Sequence, residues 1–399
     1  MSNYRGVTDH LTSAKPSSLR PVCWMLLLFI IGVFTFLYYR HVLGFWWSHD
    51  DAHHLKFALQ HSVADYLFDP QIYRKFHDLY LAPWNILAYS INLSLFGMEP
   101  KFFYLRHICS LAALAFTTCV LLRHWMSTTW ALFASLLLII APATAVVVSQ
   151  LMDTHYLEGM LFSCIAATCY VNAVRSERLW IATLGAFFYF LATASKEIFV
   201  PLSMVLLFLP VAILPDRVKA WTPYLFVAIF YVVWRSVYIQ DSFGSWIYLL
   251  NFETLLILPW RLATFVYGAG PQAQIGIAVT LMTLFFVVYK NLRWLPFLAV
   301  ALVGLLVPLL PVAGAITVER FHILTSWSLI VLWVSLMHHV STRSNKMSVL
   351  SICLSLGFAY LVLIESRVSL DRTGTTNHNY AVVGKFVFEQ PSDRSLYLP

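Results

Sequence analysis

Apolar runs of about 17–21 residues recur along most of the chain, each long enough as a helix to approach or match the roughly 30 Å hydrocarbon layer of a bilayer. They fall at 22–40, 103–122, 129–149, 157–174, 179–195, 198–214, 221–239, 274–290, 295–313, 322–340 and 348–364. Backbone N–H and C=O groups inside hydrocarbon must be paired within the protein, so such runs are expected to be helices. What lies between them is sparing in charge: 11% of residues are charged and 60% hydrophobic, against about 25% charged in soluble proteins. At 399 residues the chain could hold two soluble domains, but this composition excludes them. The expectation is an all-α polytopic membrane protein forming a single membrane domain over 1–399, with no substantial soluble domain.

The formal charge of +7 does not require a nucleic-acid partner. The bias of cytoplasmic loops towards Lys and Arg produces such an excess by itself. The six cysteines lie in apolar stretches without CxxC spacing and read as small core hydrophobes. Arg5, Lys15 and Arg20 precede the first run, which lacks a small-residue cleavage site and reads as a retained span.

One further stretch, 81–97, decides the topology. It is short and carries Pro83, Asn85, Ser90, Asn92 and Ser94. With the basic N-terminus (1–21) placed in the cytoplasm and 81–97 not crossing, Arg123, His124, Arg175, Arg178, Arg217 and Lys219 fall inside. If it crosses, every assignment inverts. The stretch is therefore expected to be an amphipathic or re-entrant helix in an outer loop (41–102), leaving about eleven spans and an outer-face tail at 366–399. The stretch 242–262 reads as a second interfacial helix. Asn92-Leu93-Ser94 is formally a glycosylation acceptor, but its apolar setting argues against use.

This topology gathers ionisable residues on the outer face: Asp50, Asp51, His53, His54, Arg74, Lys75, His77, Asp78, Asp153, His155, Glu158, Lys196, Glu197, Glu319, Arg320 and His322. Groups at such depth are costly and carry function by default, although Lys196 and Arg320 could snorkel to headgroups and Glu197 could pair with a nearby base. Carboxylates beside cations at one membrane face suit glycosyl transfer from a lipid phosphate. A carboxylate takes the proton of an acceptor hydroxyl or amine as it attacks the anomeric carbon, and Lys or Arg meets the charge developing on the leaving phosphate. Asp50 and Asp51 fit the base; Lys196 and Arg320 fit the phosphate contact. The run Ser48-His49-Asp50-Asp51-Ala52-His53-His54 also permits a divalent metal if helical, with His49 and His53, or Asp50 and His54, sharing a face. It lacks the glutamate of the zinc-protease motif, and no cofactor is required by the chemistry.

Four blocks, in order, resemble the GT-C superfamily of glycosyltransferases that use polyprenyl- or dolichyl-phosphate sugars. They are Asp50-Asp51 after the first span; Pro83 leading to Leu95-Phe96-Gly97-Met98-Glu99-Pro100 and Tyr104; Ala194-Ser195-Lys196-Glu197 with Pro201; and Glu319-Arg320-Phe321-His322-Ile323-Leu324-Thr325-Ser326. The last two are similar to blocks of TMTC-type O-mannosyltransferases and their bacterial relatives. The likeness to the lipid A aminoarabinose transferase is looser but covers the same landmarks. The resemblance implies a GT-C-like helical bundle with juxtamembrane helices in the first outer loop. It also implies a polyprenyl-phosphate sugar donor and inversion at the anomeric carbon. Asp50 would be the main base, Asp51 its partner and Asp153 a further acidic position, with Lys196 and Arg320 near the donor phosphate. Glu197, Glu319 and His322 belong to the same blocks. The setting would be a bacterial inner membrane or, alternatively, the endoplasmic reticulum membrane.

The chain departs from the family pattern in three places. Ala82 stands where a base is expected before Pro83, so Arg74 or Lys75 would have to supply that contact. The last block lacks the family's tyrosine and proline. No tetratricopeptide repeats follow, so a glycan, lipid or protein acceptor would be recognised by the outer loops or a partner. The rival readings are a lipid-linked-sugar transporter or flippase and a non-catalytic GT-C-like subunit.

Overall fold

A computed structural model of the chain describes residues 20–209, 211–239, 323–342 and 344–389, with 383–389 described by backbone only. Among these residues every regular element is helical. α1 (Pro21–Tyr39) runs on through a 3-10 turn, Arg40–Gly44, and the loop beyond it holds α2 (Asp51–Gln60), α3 (Val63–Phe68), α4 (Pro70–Phe76) and α5 (Pro83–Phe96). Then come α6 (Pro100–Leu122), α7 (Thr128–Ile139), α8 (Pro142–Val148), α9 (Thr154–Ser176), α10 (Leu179–Ser195), α11 (Leu202–Phe208) and α12 (Leu214–Tyr238). The described part closes with α13 (Ile323–Ser341) and α14 (Asn345–Glu389). Proline sets many of the starts: Pro21, Pro70, Pro83, Pro100 and Pro142 each open a helix. There its missing N–H has no partner to lose and its fixed φ already suits the helix.

Six of the described helices are long and apolar enough to cross a membrane: α1, α6, α9, α12, α13 and α14, with α7 and α8 together making a seventh, bent by 55°. The bend has a local cause. Ala141 precedes Pro142 and is extended at φ −65°, ψ 140°, because the proline ring disfavours helical backbone before it. At 179–195 the helix forms with the predicted bounds, α10 having 17 residues, whereas 198–214 is broken into the 3-10 turn Glu197–Phe199 and the seven-residue α11. The runs at 274–290 and 295–313 and the stretch 242–262 lie outside the described residues. α5 has 14 residues, a helix of about 21 Å, too short to cross.

Burial sorts inner from outer helices. In their apolar windows α9 is 67% buried and α6 and α13 are 50% buried, against 22% for α1, α12 and α14. α9 packs against α6 and α10, α10 against α12, and α1 and α7 against α6; α14 lies on α13 and α8. Close approach at the centre depends on two glycines. A Cβ on Gly185 would run into the Tyr224 hydroxyl, and one on Gly159 into the Phe199 ring. The outer helices present Met25, Phe29, Phe226, Phe230, Val233 and Leu356 outwards. An apolar exterior of that extent suits lipid and not water. Of the cysteines, Cys119 and Cys164 are core residues as expected; Cys109 and Cys353 instead sit exposed on apolar helices.

The polar groups sort to two ends. Groups predicted inside meet each other: Arg175 donates to the His124 ring nitrogen (2.9 Å) and carbonyl (3.1 Å), and Arg217 to the carbonyls of Leu207 (3.1 Å) and Leu209 (3.2 Å). At the other end lie the α2–α5 loop, the N-terminus of α9 and the C-termini of α10 and α12. Carbonyls orphaned at helix ends are covered by distant side chains there and within the bundle. Tyr39 donates to Ile139 O (2.6 Å), while Arg74 donates to Val237 O (2.9 Å) and Tyr238 O (2.7 Å). The residues after 366 continue α14 without a break to Glu389.

Candidate functional site

Asp50 and Asp51 are neighbours in sequence with opposite surroundings. α2 begins at Asp51, and Asp50 is its exposed N-cap residue. Asp51 is fully buried. Its Oδ2 accepts from the Ser48 N–H (2.7 Å), its Oδ1 from the Tyr89 hydroxyl of α5 (2.6 Å), and the Met152 N–H also donates to it. Burial pushes the Asp51 carboxyl up to about 7; the Tyr89 and backbone hydrogen bonds oppose that rise and the charge of Asp50 adds to it. Met152 places Asp153, itself buried, next to this pair, because the 3-10 turn Leu151–Asp153 leads directly into α9. The three candidate carboxylates thus come together at one end of the bundle.

From there the contacts run round a closed path. Along α9 the His155 and Tyr156 rings lie 4.2 Å apart, and the Lys196 ammonium sits 5.6 Å from the Tyr156 centroid and 3.1 Å from that of Tyr80. Tyr80 packs on His77 at 3.4 Å. Burial and the charges of Lys196 and His53 hold the His77 imidazole down at about 3, so it is neutral at physiological pH. His53 donates through Nε2 to Phe76 O (3.3 Å) and stacks on the Phe76 ring. Its neighbour His54 meets Asn85 at 3.2 Å and packs on Tyr89, which returns to Asp51.

Two half-buried ion pairs fix this ring. Glu197 accepts from Arg235 Nε (2.6 Å) and from the Leu81 N–H (3.2 Å). With Arg235 on Leu79 O (3.3 Å) and Tyr231 on Leu81 O (2.7 Å), it clamps loop 77–82 onto α12. Glu158 accepts from Trp84 Nε1 (2.6 Å), Arg106 (2.8 Å to Oε1) and Ser110 Oγ (3.1 Å), tying α5 to α6 and α9. Arg106 also donates to Ala88 O (2.8 Å) and Asn92 Oδ1 (3.1 Å), and Asn92 is buried. Groups like these are costly beside hydrocarbon unless paired and hydrogen-bonded, as both pairs are.

No protein-family model, curated protein or solved structure matches this chain. The site must be read from its own geometry.

Of the predicted residues, Asp50, Asp51, Asp153, Lys196 and Glu197 gather at this end. Glu197 is an anchor for Arg235, and Arg74 is occupied at the end of α12, which leaves Lys75 as the exposed cation of that segment. Glu319, Arg320 and His322 lie outside the described residues. The helical pairing considered for a metal does not form. His49 precedes α2 in the left-handed region (φ 50°) and Asp50 is its cap, because the Asp51 carboxylate turns back to the Ser48 N–H. Among the described residues no three His, Cys, Asp or Glu side chains converge as a ligand set. Arg106 and Arg235 were not singled out from sequence. Their signal was present: each is a cation within an apolar run, a position that demands a buried partner.

Proposed function

We propose that the protein is an integral membrane glycosyltransferase of GT-C type, moving one sugar from a polyprenyl-phosphate donor to an acceptor at the outer or lumenal face. The observation that carries the reading is the pairing of an exposed carboxylate, Asp50, with two buried ones at the end of the bundle where Lys196 is also held. Asp50 takes the acceptor proton as the acceptor oxygen or nitrogen bonds to the anomeric carbon. The bond from that carbon to the lipid phosphate breaks with inversion, and the phosphate leaves as an anion. Asp51 accepts from Tyr89 and two backbone N–H donors and is shut away from the acceptor by burial; it positions the loop that carries Asp50. Lys196 supplies positive charge towards the phosphate. The four resembling sequence blocks support the same assignment, as does a bilayer setting, proposed here as a bacterial inner membrane with the endoplasmic reticulum as the alternative.

The test is transfer of radiolabelled sugar from a panel of polyprenyl-phosphate sugars by the purified protein, wild type beside Asp50→Asn. Turnover in the wild type alone is expected. Equal turnover in both removes Asp50 from the mechanism. The packing of Lys196 between Tyr80 and Tyr156 favours one second reading, a non-catalytic subunit, for which donor would bind to both proteins with turnover in neither.

A further inference from the structure

A second polar feature stands at the same end of the bundle, apart from the ring around Asp51. Between the end of α1 and the extension of α14 lies a cleft of about 980 Å³. Arg40, His41 and Arg367 line it, and below them on α1 are Phe34 and Leu37. Both arginines are exposed, while Leu370 forms part of its buried wall. Tyr38 fixes one side, donating to Ser366 Oγ (3.0 Å) with the Arg367 guanidinium 5.8 Å from its ring. The cleft is therefore cationic at the level where α1 leaves the apolar layer and apolar beneath, the order of groups in a lipid phosphate and its chain.

The outer side of the cleft points to which lipid. Asp371 and Thr375 lie one and two turns further along α14 than Arg367. A carboxylate and a hydroxyl beyond a phosphate contact suit sugar hydroxyls, whereas a second anion would disfavour an acidic headgroup. Gly374 lies beside Phe45 in the cleft wall, and six residues on, about 9 Å along the helix, Tyr380 packs 5.4 Å from His49, the residue before Asp50. Asn377 Nδ2 donates to Ser149 O (3.2 Å) and holds this stretch of α14 in place.

We propose that this cleft docks the phosphate of a polyprenyl-phosphate sugar arriving from the bilayer, with its prenyl chain along Phe34 and Leu37, before the sugar reaches Asp50. Arg40 and Arg367 meet the phosphate, and Asp371 and Thr375 meet the sugar. The proposal rests on the transferase reading, but binding can be measured without turnover, so the two can fail separately.

The experiment uses the full chain in nanodiscs with a diazirine-bearing polyprenyl-phosphate sugar as probe. Labelling is expected in peptides covering 34–45 and 367–375, to the same extent in Asp50→Asn, and to be competed by unlabelled polyprenyl-phosphate sugar. Arg40→Gln with Arg367→Gln should lower it about tenfold or more, the loss expected when two charge-assisted contacts go. Arg40→Lys with Arg367→Lys, retaining the charge, should keep most of it, which separates lost charge from lost fold. Equal competition by phosphatidylglycerol would make the cleft an ordinary annular lipid site and overturn the proposal. Equal competition by inorganic phosphate, or labelling elsewhere on the chain, would also overturn it.

Discussion

Replacing Tyr89 by phenylalanine should raise the Asp51 carboxyl above its value of about 7 in the folded protein. The Tyr89 hydroxyl lies 2.6 Å from Oδ1 and donates to it, so it favours the ionised carboxylate. A hydrogen bond to a charged group contributes about 1.5–3 kcal/mol, and one pH unit corresponds to about 1.4 kcal/mol. Losing it should therefore move the midpoint up by about one to two pH units, while the Ser48 and Met152 N–H donors remain. The assay is infrared difference spectroscopy of the protonated carboxyl band against pH, assigned by its absence in Asp51→Asn. The consequence for stability follows with its sign. A carboxyl whose folded value lies above its ordinary 3.8 binds its proton more tightly in the folded state. Its contribution is fully present below about 4 and is lost as pH rises to about 7, a total of about 4 kcal/mol over that interval. Asp51→Asn should flatten that slope in thermal unfolding. An unchanged or lowered midpoint in Tyr89→Phe would refute the view that this hydroxyl serves the carboxylate.

Other perturbations probe the frame around the site. Glu158→Ala leaves the half-buried Arg106 guanidinium without its anion and Trp84 and Ser110 without their acceptor, and should cost about 1–3 kcal/mol in detergent-solubilised unfolding; no measurable loss would show the pair to be dispensable. Gly185→Ala forces a methyl against Tyr224 and should cost about 1–3 kcal/mol, with Tyr224→Phe in the same chain recovering part of it. Lys196→Gln removes a charge that holds the His77 imidazole low, so its titration by NMR should move upwards from about 3. An unchanged titration would mean that the Lys196 charge does not act on it.

Much of the architecture is legible because hydrocarbon imposes a simple rule. A run that spans a bilayer must be apolar throughout and helical, so α1, α6, α9 and α12–α14 announce themselves without knowledge of their neighbours. The same reasoning separates 81–97 from the spans, since its polar residues and 14-residue helix cannot meet the thickness requirement. It works less well in the broken segment after Glu197, because hydropathy does not show where a helix breaks. The charge bias of the loops also leads to the expectation that Asp50, Asp51, Asp153, Lys196 and Glu197 share one face, and in the structure these five lie at one end of the bundle.

What tertiary structure alone decided is the division of labour within that face. Asp50 and Asp51 are chemically identical and adjacent; Asp51 is enclosed only because Tyr89 of α5 and the backbone at Met152 reach it from 38 and about 100 residues away. From sequence Arg74 is a candidate substrate contact and Glu197 either a substrate contact or the partner of a nearby base; only packing puts the end of α12 beside Arg74 and Arg235 beside Glu197. The placement of α14 against His49 and Ser149 is of the same kind. Hydropathy is a property of each segment and survives without its surroundings. Burial, pairing and proton affinity belong to the contacts between segments, and these exist only once the chain has packed.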